Sequence, residues 1–167
     1  MFRLTAAVLI CVIGYLSGQT MTEVLKKKEC AAENIALLVD KTEYLVRERN
    51  LNIYEIFDQL RKNNSLNRFK FVQQFPKTFD ANTDIRSVMN GLINADKGIQ
   101  AEERELLQRF AERIGTSDSQ GQAAFLESLA REAAALTERR KAEFREKSRL
   151  YNSVGLLFGV MAGILII

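Results

Sequence analysis

The chain has one proline in 167 residues, Pro76. Proline ends helices because it lacks the amide donor and clashes with the preceding turn. A chain so poor in it can run helices to unusual length, and two stretches allow this. No breaker interrupts residues 4–49, and from Ser119 no proline follows. The reading is all-α, with a long helix at each end and shorter ones between.

Apolar spacing supports that reading through the middle. "ENIALLVDKTEYLVRERN" places Ile35, Leu38, Val39, Leu45 and Val46 at three- and four-residue steps, which is one helix face. The next helix starts after Asn50 or Asn52, either of which suits an N-cap, and carries Ile53, Ile56, Phe57 and Leu60. "NRFKFVQQFPKTFD" sets Phe69, Phe71, Phe75 and Phe79 among basic residues, a mixture that can stack on nucleic-acid bases. Leu66 and Val72 continue the same apolar face, so these phenylalanines read as core anchors. Thr83 or Asp84 caps a helix with Ile85, Val88, Met89, Leu92 and Ile93. "NADKG" then makes a turn too poor in acids for a calcium loop. A helix with Ile99, Leu106, Leu107, Phe110 and Ile114 stops at Gly115. Thr116, Ser117 or Asp118 caps the last helix, whose stripe is Phe125, Leu126, Leu129, Ala133 and Leu136. These pieces form a small antiparallel helical bundle.

The ends differ from the middle. Residues 4–18 carry no charge, and neither do residues 154–167. Both ends are expected to span a membrane: a core helix needs a polar face, which residues 154–167 lack, and the shorter run at residues 4–18 is extended by Phe2 and by Gln19, Thr20 and Met21 while Arg3 snorkels. The division is residues 1–20, an N-terminal transmembrane helix; 21–150, a cytosolic domain; and 151–167, a C-terminal transmembrane helix. The first end is read as an uncleaved anchor rather than a signal peptide, because Leu16-Ser17-Gly18 makes a poor cleavage site. Basic residues set the orientation. Lys26, Lys27 and Lys28 follow the first span, and Arg139, Arg140, Lys141, Arg145, Lys147 and Arg149 precede the second. The domain between them is therefore expected in the cytosol, with both termini on the far side and no stop-transfer charge needed there. Basic residues at that level also gain from anionic lipid.

Glycines recur inside both apolar runs. Gly155, Gly159 and Gly163 stand four apart, as do Gly14 and Gly18. That spacing keeps each set on one helix face, where small residues let backbones approach closely in lipid. The expectation is a packing seam, either between the two spans or between subunits.

Chemistry is sparse. There is no histidine to act as base or metal ligand. Glycines outside the apolar runs form no phosphate loop. Acidic and basic residues alternate as on solvated helix faces. The chain reads as a non-enzyme with no catalytic residue, metal, cofactor, small-molecule substrate or nucleic-acid partner; a net charge of +3 is too small to imply the last. Cys11 and Cys30, on one helix, would sit roughly 28 Å apart, too far for a disulfide.

Two segments carry a family resemblance. Gly115, Asp118 and Gln122 lie in "IGTSDSQGQ", and Lys147, Leu150, Tyr151, Gly155 and Gly159 lie in "KSRLYNSVGLLFGVMAGILII". Together they resemble the stage III sporulation protein AB family of endospore-forming bacteria. That family is similar to the inner-membrane platform protein of type II secretion and type IV pilus systems. The resemblance implies a structural platform subunit of the channel-like complex joining mother cell and forespore during engulfment. It would lie in the mother-cell membrane around the forespore, beside other stage III sporulation A proteins. It would couple a secretion-type ATPase, stage III sporulation protein AA, to the channel, and homo-oligomers are compatible with this. The turn from Gly115 to Gln122 is the first candidate for partner contact. The alternative is a membrane-active, holin-like pore former, motivated by the glycines alone.

Overall fold

The proline-free stretches at the two ends do become long helices. A computed structural model describes residues 2–49, 51–78, 84–114 and 119–166, without the side chains of residues 2–8, 10, 11, 119, 120, 152, 156, 159, 162, 163, 165 and 166. All regular structure among the described residues is helical. Helix α1 runs Phe2–Arg49, α2 Ile53–Arg61, α3 Lys70–Gln74, α4 Ile85–Ala95, α5 Ala101–Arg113 and α6 Ser119–Ile166, with a 3-10 turn at Asn64–Leu66. The chain forms two units. The first joins Met1–Cys30 to Glu138–Ile167, and the second is Ala31–Thr137.

In the second unit the apolar stripes meet in one core. Ile35, Leu38 and Val39 of α1, Phe57 and Leu60 of α2, Met89 and Ile93 of α4, Leu107 and Phe110 of α5, and Leu129 and Ala133 of α6 are all buried in it. Phe69, Phe71 and Phe75 are buried there too, as core anchors. Phe75 stacks on Phe57 with ring centroids 3.9 Å apart. Phe79 lies outside the described residues.

Local signals place the helix starts. Asn52 is the N-cap of α2: its side chain accepts from the Tyr54 and Glu55 amides, and Glu55 accepts from the Asn52 amide. This reciprocal box satisfies donors that a helix start otherwise leaves open. Asp84 caps α4 through the Arg86 amide. Helix α3 ends at Gln74, before Phe75 and Pro76, where the pre-proline residue disfavours helical geometry.

Other helix ends are held by residues far away in sequence. No side chain at Phe69 caps α3. Instead Asp96, 26 residues on, accepts from the Lys70 amide at 3.1 Å and from the Gly98 amide at 3.0 Å. The "NADKG" segment is thus a turn whose buried carboxylate accepts a backbone donor at each oxygen. Arg104 closes the same turn by donating to the Asn94, Asp96 and Ile99 carbonyls. Arg61 does the like for α3, donating to the Val72 and Phe75 carbonyls.

Among the described residues, no helix is long and apolar enough to cross a membrane. Several of the apolar side chains at both ends, including Leu4, Val8, Ile10, Leu156 and Leu165, are outside that description.

Candidate functional site

The first unit holds most of the residues singled out by the sequence, and its geometry starts from glycine. A Cβ placed on Gly155 of α6 would lie 2.7 Å from the Gly14 carbonyl oxygen of α1, and 3.3 Å from the Gly18 Cα and amide nitrogen. The two helices therefore touch backbone to backbone within one chain. The contact is possible because none of the three residues has a side chain. Of the two arrangements open from sequence, Gly155 takes the one inside the chain. Gly159 and Gly163 lie on α6, but what surrounds them is outside the description.

A second contact fixes the direction. Lys26 of α1 sits over the Phe144 ring of α6, with Nζ 5.1 Å from its centroid. Moving up α1 from Gly14 and Gly18 to Lys26 moves down α6 from Gly155 to Phe144. The pair is antiparallel. Lys26 also bonds Glu29 at 3.0 Å.

Large side chains turn away from this seam. Leu9, Val12, Ile13 and Leu16 of α1 are exposed, and so are Leu150, Leu157, Phe158, Met161 and Ile164 of α6, Phe158 at 69%. Small residues inside and bulky apolar ones outside invert the order of a water-soluble bundle. Polar residues among them turn back on their own helix. Ser17, Thr20 and Thr22 donate to the Ile13, Leu16 and Gly18 carbonyls, each one turn earlier.

Next along α6 is a charged segment. Lys147 donates to Glu143 at 2.7 Å, and Arg140 to the same carboxylate at 3.1 Å. The Lys147 ammonium, with help from Arg140, holds the Glu143 carboxyl below its ordinary 4.5. Glu143 in turn raises Lys147 above 10.5. A depressed carboxyl favours the folded state above its unfolded value and loses that contribution as pH falls through the lower folded one. A raised ammonium favours it below its unfolded value and loses that contribution as pH rises through the higher folded one. The thermal midpoint should therefore form a plateau that falls below about pH 4.5 and above about pH 10.5. The effect is small because solvent screens both groups. Glu143→Gln should shrink both limbs in a pH series of melting curves; unchanged limbs would discount the ion pair.

The family-pattern residues that are described fall in both units. Lys147 is bound to Glu143, Leu150 is exposed and Tyr151 half-buried, all in the first unit. Gln122 is buried and belongs to the second unit. Gly115 and Asp118 lie outside the described residues, as do the caps expected at Thr116 and Ser117. No group of three or more metal-capable side chains occurs among the described residues. The sequence did not single out Asp96, Arg104 or Arg61, and nothing local marks them, since their partners lie up to 26 residues away.

These features define an all-helical protein whose terminal helices pair on glycine and display bulky apolar side chains outward. The model of the family described as stage III sporulation protein AB matches residues 3–167, and the chain belongs to that family. Neither the curated proteins nor the solved structures include a match to it.

Proposed function

We propose that this chain is a structural, non-enzymatic membrane subunit of the sporulation complex between mother cell and forespore. The helix pair seats it in the mother-cell membrane, with residues 21–150 in the cytosol and the termini on the far side. The cytosolic helices couple the secretion-type ATPase, stage III sporulation protein AA, to the channel. The observation that carries this is the inverted order of the paired helices, with glycines in the seam and Leu157, Phe158, Met161 and Ile164 outside. In water such a face would be costly, and in lipid it is the ordinary arrangement. The backbone-bonded hydroxyls of Ser17, Thr20 and Thr22 speak against the pore-forming alternative, which needs polar groups turned toward a lumen.

Two measurements test it. A reporter inserted near Asn64 should score as cytosolic and one fused after Ile167 as external; the reverse pattern sinks the topology. The full chain in lipid should retain the AA ATPase on co-purification, and loss of the ATPase in washing counts against the coupling.

A further inference from the structure

The basic residues beside the seam are not equivalent. Lys26 is bonded to Glu29, Lys141 to Glu138, and Arg140 and Lys147 share Glu143. Arg145 and Arg149 are exposed and have no ion-pair partner among the described residues. They stand four apart on α6, so they share one face. With Ala142, Phe144, Glu146 and Ser148 they line a shallow, open groove on the α6 surface. Glu146 is the one acid on that rim, which leaves the groove net positive.

The position of this groove narrows what it can hold. On α6 the exposed large apolar residues begin at Leu150, immediately after Arg149. The antiparallel register that pairs Lys26 with Phe144 brings Lys27 and Lys28 of α1 to within about one helical turn of Arg145 along the pair axis. Neither lysine has an ion-pair partner among the described residues. Four cationic groups with no ion-pair partner among the described residues thus lie within about two helical turns along the pair, where its charged part gives way to its apolar part. Guanidinium groups bind phosphate oxygens by paired N–H donors, and Ser148 between the two arginines adds a hydroxyl.

We propose that Arg145 and Arg149, with Ser148, form a binding site for the phosphate headgroup of an anionic phospholipid. Lys27 and Lys28 reinforce it electrostatically. The charge complementarity and the adjoining apolar helix surface, which takes the acyl chains, select a lipid over a soluble anion. The inference rests on the membrane reading above and adds a lipid class to it.

The test uses the full chain purified in a mild neutral detergent. Phosphatidylglycerol or phosphatidylcholine is added, and native mass spectrometry counts the lipids retained. The wild type should keep phosphatidylglycerol preferentially, and Arg145→Gln/Arg149→Gln should lower that preference roughly thirtyfold, since two basic residues near anionic lipid contribute about 1 kcal/mol each. Lys141→Gln, which removes a cation already paired with Glu138, should leave it near the wild-type value. Circular dichroism checks that each variant keeps its helices. Equal retention of the two lipids, or a preference that survives the double substitution, overturns the site. So does displacement of phosphatidylglycerol by inorganic phosphate, which would make the groove a soluble-anion site. Flotation with vesicles of phosphatidylcholine alone tests the membrane reading separately, because insertion there does not depend on the arginines.

Discussion

Replacing Gly155 with leucine should separate the two terminal helices. A Cβ at this position meets the Gly14 carbonyl oxygen at 2.7 Å and Gly18 backbone atoms at 3.3 Å. Backbone cannot move aside by changing rotamer, so the helices themselves must part. Overpacking a tight contact costs about 1–3 kcal/mol, and leucine belongs at or beyond the upper end. Gly155→Ala already introduces the clash and should show the lower end. The internal control is Gly91 of α4, where a Cβ meets nothing within 4 Å. Gly91→Ala should stabilise by roughly 0.5–1 kcal/mol, because alanine loses less backbone freedom in a helix. Thermal unfolding of the full chain in detergent or lipid, with limited proteolysis of residues 1–30, reads all three. A Gly155→Leu protein that melts and resists protease like the wild type would mean that the seam is not built this way.

Phe57→Ala should be strongly destabilising in the second unit. Phe57 is fully buried and stacks on Phe75, which in turn lies 6.0 Å from the Tyr54 ring. Removing the ring forfeits its burial and leaves a cavity, a loss of about 3–5 kcal/mol. The same change loosens Phe75, whose carbonyl receives Arg61 and so closes the end of α3. Chemical denaturation should show the midpoint fall with little change in slope. A loss below about 1 kcal/mol would show that the neighbouring side chains collapse into the space.

Much of this architecture follows from short-range signals in the chain. Helix α1 reaches Arg49 and α6 starts at Ser119, as the missing breakers predict. Asn52 and Asp84 cap their helices because a side-chain acceptor two or three residues before a helical amide needs no other partner. The phenylalanines between Phe69 and Phe75 face the core because Leu66 and Val72 share their stripe. What stayed hidden depends on long-range pairing. Four-residue spacing of Gly155 shows a flat face and cannot say which helix lies on it; that information sits in residues 14 and 18, at the other end of the chain. Asp96 looked like one acid in a turn because its partner amide at Lys70 belongs to a helix with no cap of its own. Arg145 and Arg149, without an ion-pair partner among the described residues, were indistinguishable from their neighbours until Glu138 and Glu143 had chosen partners.

The seam of Gly14, Gly18 and Gly155 has one more consequence. Backbone against backbone is smooth: it sets how near two helices come but offers no knob to stop them sliding past each other. A side-chain contact that crosses the pair is Lys26 on Phe144. Spacing and alignment thus draw on different residues. Three glycines act as the bearing, and the cation on the ring is one detent against a slip by a turn of about 5.4 Å.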